Sequence, residues 1–170
     1  NGIPDIGAFE YNSENTPVNT PNPTPTRTIV GTITPTPIYP RAQRIIVRAK
    51  ARYPRSVSGA WPKLEIKIGD PASTQPTVHT FDVIGTTYGS YRYTHNVPFD
   101  VTQVKIKFVN DSAQRDVYID KITIGSAVYQ TEASDTLSTG SWSNQAGACI
   151  GGFYSQELLV CNGYFQYKAR

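Results

Sequence analysis

Between residues 45 and 124, apolar and polar side chains alternate in one short stretch after another. Ile45, Val47, Ala49 and Ala51 stand opposite in phase to Ile46, Arg48, Lys50 and Arg52. Leu64, Ile66 and Ile68 alternate with Lys63, Glu65 and Lys67, and Val104, Ile106 and Phe108 with Lys105 and Lys107. Phe81 and Val83 flank Asp82, Tyr91 and Tyr93 flank Arg92, and Val117 and Ile119 continue the pattern. Successive side chains of a strand point to opposite faces, so a period of two describes strands with one face buried and one in water. No stretch holds apolar residues at the helical period for more than about two turns, which excludes an all-α or α/β fold. Ile122 and Ile124 resume the alternation one residue out of phase, which predicts a bulge near Asp120–Lys121. Six to nine strands separated by Gly, Pro and Asn turns predict an all-β, antiparallel, jelly-roll-like β-sandwich over residues 41–170, behind an extended N-terminal linker.

The composition before that module is different. Residues 16–40 hold seven of the 13 prolines and eight threonines. They carry no hydrophobic period, so residues 12–40 cannot bury enough apolar surface to offset the entropy of ordering. An extended tether of about 3.1 Å per residue is expected there. Ahead of it, Asp5-Ile6-Gly7-Ala8-Phe9-Glu10-Tyr11 resembles the closing segment of right-handed parallel β-helix proteins, many of them bacterial polysaccharide lyases. That resemblance implies that residues 1–11 end an upstream β-helix domain that carries the catalysis. With no methionine in the chain, a mature product or an excised fragment is expected.

The formal net charge is only +3, and the basic residues are spread along the chain, so no nucleic-acid partner is expected. No run of about 18 apolar residues occurs, so no membrane helix is expected either. Cys149 and Cys161 are the only cysteines. Neither belongs to a C-x-x-C pair, and a disulfide in a secreted protein accounts for them better than a zinc site. There is no Gly-x-Ser-x-Gly elbow and no H-E-x-x-H. His79 and His95 read as packing or surface residues, and the module is expected to be a monomer without enzymatic activity.

One cluster stands apart. Asn110-Asp111-Ser112-Ala113-Gln114-Arg115-Asp116-Val117-Tyr118-Ile119-Asp120 holds three carboxylates where one strand ends and the next begins. A turn there lets Asp111, Asp116 and an intervening carbonyl point at one spot, as a hard cation such as Ca²⁺ requires. Ordinary turn chemistry, with Asn and Asp bonding their own backbone, reads the same residues without a metal.

Five stretches carry a wider likeness: IIVRAKA at 45–51, FVNDSAQRDVYIDKITI at 108–124, YQTEA at 129–133, STGSW at 138–142 and ACIGGFYSQELLVCNGYFQY at 148–167. In this order they resemble the calcium-dependent xylan-binding carbohydrate-binding modules of families 36 and 60, family 60 more closely. The resemblance implies a small β-sandwich whose bound Ca²⁺ receives two adjacent sugar hydroxyls. It implies Asp111 and Asp116 as side-chain ligands, the Arg115 carbonyl between them, and Glu157 near the site. It also implies Trp142 beside the sugar and a Cys149–Cys161 disulfide. Asp120 and Glu132 match acidic positions that either hold a second, structural ion or pair with basic side chains. Trp61 and Tyr154 are further candidates for stacking on a sugar. The chain departs from the pattern in having Leu158 where a Trp often stands, Val160 in place of a His, and longer stretches at Tyr53–Pro62 and Pro71–Pro76.

These features together predict a secreted, non-catalytic module that binds plant or algal polysaccharide, xylan-like β-glycans foremost, and directs an attached glycan-degrading enzyme to it. Two alternatives stand beside it. One is an adhesion module in which calcium is only structural. The other is a binder of acidic polysaccharides such as pectin or alginate, because residues 41–170 carry 15 basic and 10 acidic residues and many of the basic ones alternate outward.

Overall fold

A computed structural model describes residues 42–55 and 59–169. The β-helix remnant and the Thr/Pro tether expected from the sequence lie outside the described residues. Among the described residues eleven strands follow one another: β1 (Gln43–Ala51), β2 (Lys63–Ile68), β3 (Thr77–Asp82), β4 (Gly89–His95), β5 (Val104–Phe108), β6 (Val117–Ile124), β7 (Ala127–Gln130), β8 (Leu137–Ser143), β9 (Ala148–Phe153), β10 (Leu158–Leu159) and β11 (Gly163–Gln166). The described residues contain no α-helix. One 3-10 turn, Val101–Gln103, is capped by Asp100, whose carboxylate accepts from the Thr102 N–H at 2.8 Å.

Every pairing is antiparallel. One sheet runs β10-β6-β1-β4, with β7 also paired to β6; the other runs β3-β2-β5-β11-β8-β9. The apolar phase of each strand meets between them. Ile45, Val47 and Ala49 of β1 and Val117, Ile119 and Ile122 of β6 face Leu64 and Ile66 of β2, Ile106 and Phe108 of β5, and Phe165 of β11, all fully buried. Burying a branched or aromatic side chain of this kind contributes about 1.5–3 kcal/mol each. Tyr167 is also buried, its hydroxyl 3.0 Å from the Thr131 Oγ1.

The expected slip in phase is present. Register passes from Arg48 opposite Lys121 to Ala49 opposite Ile119, leaving Asp120 as the extra residue of a bulge. β3 and β4 are edge strands of different sheets, and their aromatic side chains close one side of the sandwich. His79 stacks on Tyr93 at 4.9 Å and Phe81 on Tyr91 at 4.7 Å, so both histidines of the chain pack, His95 against Tyr93 and Phe99.

Eleven strands replace the six to nine expected. The additional ones carry little alternation: β7 and β10 are only 4 and 2 residues long, and β8, β9 and β11 contain Gly or Ser. Gly140 of β8 and Gly163 of β11 approach so closely that a Cβ on Gly163 would lie 2.5 Å from the Gly140 Cα. Glycine here is demanded by backbone contact, which leaves no mark in a hydrophobic pattern.

Candidate metal and glycan site

The loop joining β5 to β6, residues 109–116, is anchored at both ends. Asn110 fastens its start: Oδ1 accepts from the Lys63 N–H at 2.7 Å and Nδ2 donates to the Trp61 carbonyl at 2.9 Å. These are bonds to a neighbouring strand entry rather than to its own turn. The Asp111 N–H donates to Asn162 Oδ1 at 2.8 Å. The Arg115 N–H closes the turn on the Ser112 carbonyl at 3.0 Å, with Gln114 at φ 61°. Asn, Asp and Gln side chains tolerate this left-handed region better than branched ones do. The Arg115 guanidinium donates to the Asn110 carbonyl at 2.7 Å.

At the end of the loop Asp116 is half-buried and takes the Arg52 Nη1 at 3.0 Å. Burial raises its carboxyl above the usual range and the charge of Asp111 adds to this, against the lowering pull of Arg52. Asp111 itself is exposed.

Farther along β6, the bulge turns Asp120 toward two other acids. Carboxylate oxygens of Asp120, Glu132 and Glu157 lie within 4.8 Å of one another. The Glu157 carboxylate accepts from the Tyr88 hydroxyl, which burial and that bond push well above the ordinary phenol range. Asp120 Oδ2 makes no hydrogen bond but is held by charge, with Arg48 Nη1 3.1 Å and Lys121 Nζ 3.7 Å away. Three carboxylates this close repel unless positive charge neutralises them. Their oxygens are also the hard donors a Ca²⁺ ion selects. By donor type, the cluster fits a divalent cation. Glu157, expected beside Asp111 and Asp116, is thus placed with Asp120 and Glu132.

A strand pairing, the disulfide and a hydrogen bond connect the loop to the exposed indole. Trp142 on β8 is 55% exposed, its N–H held by Asn144 Oδ1 at 3.0 Å, and it pairs in register with Cys149 on β9. Cys149 is joined to Cys161 by a disulfide, with Cα atoms 6.4 Å apart, and the next residue, Asn162, holds the Asp111 amide. Tyr154 is half-buried and lies over Gly152, where an added Cβ would meet its ring at 2.6 Å. Trp61 is half-buried and meets the loop through its carbonyl.

A family model, CBM60, described as a calcium-dependent, xylan-binding carbohydrate-binding module, matches residues 45–139. The chain belongs to this family. Carbohydrate-binding modules are a non-catalytic class, and the sandwich of this CBM60 module agrees with solved relatives. It is similar to the selenomethionine form of vCBM60, a structure that links two families of calcium-dependent carbohydrate-binding modules by circular permutation. The two share 26% identity over 74% of this chain and 89% of that one, with a TM-score of 0.58. Against vCBM60 in complex with galactobiose the identity is also 26%, over 73% and 96% of the two chains, with a TM-score of 0.54. In sequence, 62 residues are 39% identical to the endo-1,4-beta-xylanase Xyn11B of Cellvibrio japonicus, spanning 36% of this chain and 16% of the xylanase.

The residues that sequence reasoning passed over are those that hold the acids of the CBM60 module: Arg48, Arg52, Tyr88 and Asn162. For the arginines a signal was present, since their outward phase on β1 faces β6. Tyr88 and Asn162 reach the site through loops, which carry no periodic signal.

Proposed function

We propose that the module binds polysaccharide through protein-held calcium, with xylan-like β-glycans as the first ligand class. The Asp111 and Asp116 side chains and the Arg115 carbonyl would hold the receptor ion, and Asp120, Glu132 and Glu157 a second one. A calcium ion held with incomplete coordination supplies charge–dipole attraction to two adjacent hydroxyls of a sugar ring. This matters because neutral sugars exchange hydrogen bonds with water at little net gain. Trp142, exposed beside the disulfide, offers its face to the ring, with Tyr154 as a secondary surface.

The observation that carries the reading is the Asp120–Glu132–Glu157 cluster, one strand segment from Asp116, in a family described as calcium-dependent. Xylan is supported by the family description and by the likeness to the xylanase, and the galactobiose complex of vCBM60 extends the class to other neutral β-glycans. The disulfide supports export. We also read residues 12–40 as a tether, with the module keeping an upstream β-helix enzyme concentrated on its polymer.

The test is retention on insoluble xylan in calcium. Asp111→Ala and Asp116→Ala should both lose retention while circular dichroism stays that of the parent. Parent-like retention by both variants would transfer the receptor role away from this loop. Retention unchanged by chelator would favour an adhesion module with structural calcium.

A further inference from the structure

On the outer surface of the six-stranded sheet a groove of about 200 Å³, open to solvent, crosses β2, β5 and β11. Lys67, Lys105 and Lys107 line it together with Tyr164. Lys67 stands directly opposite Lys105 in register, and Lys107 opposite Tyr164. Like charges placed opposite one another across a sheet are destabilising. Glu65, opposite Lys107 in register, lies 3.6 Å from Lys67 and also accepts from the Thr77 hydroxyl, and Lys67 donates to the Gln75 carbonyl at 3.1 Å. Lys105 reaches the Pro71 carbonyl at 3.3 Å and sits 4.9 Å over the Tyr164 ring. Lys107 has no hydrogen bond or ion pair among the described residues.

The far wall comes from Ser73, Thr74 and Gln75, within the Pro71–Pro76 stretch that is longer here than the family pattern leads one to expect. Gln75 is 3% exposed. Its amide N–H groups are spent on the Gly69 and Gln103 carbonyls at 2.7 and 2.8 Å, while its Oε1 has no donor among the described residues. An acceptor without a donor, two hydroxyls, an aromatic ring and a surplus of ammonium groups thus share one wall and floor. The arrangement is unlike the outward basic residues of β1, where Arg48 and Arg52 are paired to Asp120 and Asp116.

We propose that this groove is a second glycan site, independent of calcium, for chains that carry carboxylates, the uronate polysaccharides. Carboxylates of the chain meet Lys105 and Lys107 in charge-assisted hydrogen bonds, and a ring face lies on Tyr164. The hydroxyls meet Ser73 and Thr74. Lys105 and Lys107 lie two residues apart on β5, and Lys67 stands opposite Lys105 on the neighbouring strand. Tyr164 and Gln166 lie two residues apart on β11, and Gln166 lines an adjoining hollow with Phe153, so the path for a longer chain continues along this face.

The experiment is calorimetric titration of the full chain with tri-galacturonate in EDTA, which disables calcium sites and so separates this proposal from the previous one. Binding should persist in EDTA and weaken as NaCl is raised, because partly exposed charge pairs are screened. K105Q/K107Q should lower that affinity about tenfold or more while leaving calcium-dependent retention on xylan unchanged. Absence of binding in EDTA, or a K105Q/K107Q protein that binds like the parent, would overturn the proposal. Equal affinity for tri-glutamate would overturn it as well, by reducing the groove to a general attractor of anions.

Discussion

Asp116 carries two consequences that can be measured. Its carboxyl is raised by burial first and by Asp111 second, so the calcium-free folded protein keeps a proton that the unfolded chain releases. Stability of the calcium-free protein therefore falls as pH rises from the ordinary value of 3.8 through the raised one. Calcium held by Asp116, as proposed, would compete with that proton. Calcium affinity, followed by tryptophan fluorescence, should decline on acidification before the ordinary carboxylate range is reached, and a flat profile down to that range would contradict the assignment. At Trp142 the expected effect is smaller. Trp142→Ala should weaken xylo-oligosaccharide binding roughly fivefold to tenfold, since an aromatic contact is worth about 1 kcal/mol. Complete loss of binding would make the indole the receptor.

At the level of elements, the strands that sequence reasoning recovered are those in which apolar and polar residues alternate, β1 to β6. The bulge in β6 was legible because a single inserted residue, Asp120, reverses which side chains are apolar. What the bulge does was not legible: it turns Asp120 toward Glu132 and Glu157, a meeting of three segments distant in sequence. β8 and β11 were obscured because their close approach rests on glycines. Gly163→Ala should cost roughly 2–4 kcal/mol in urea unfolding, because the atoms its Cβ would meet are backbone and cannot withdraw. A cost under about 0.5 kcal/mol would mean that the strands separate freely. Removing the disulfide should cost about 3 kcal/mol in the chain-entropy picture. It should weaken glycan binding as well, since Cys161 precedes the Asn162 that fixes the Asp111 amide.

For the whole molecule, the two sheets differ in which charges are paired. Arg48, Arg52 and Lys121 pair with Asp120 and Asp116, acids proposed to hold calcium. On the other sheet Lys63 and Lys67 pair with Asp82 and Glu65, while Lys105 and Lys107 make no ion pair among the described residues. Composition alone could not reveal that division. The central claim is that calcium is the receptor for sugar rather than a brace for the fold. The measurement that tests it most directly is titration of the full chain with xylo-oligosaccharides in calcium and again in EDTA, with circular dichroism recorded in both. Binding that is present in calcium and lost in EDTA, with an unchanged β-sheet spectrum, is the predicted result. Equal affinity in the two buffers, or loss of affinity only together with loss of the fold, would contradict it.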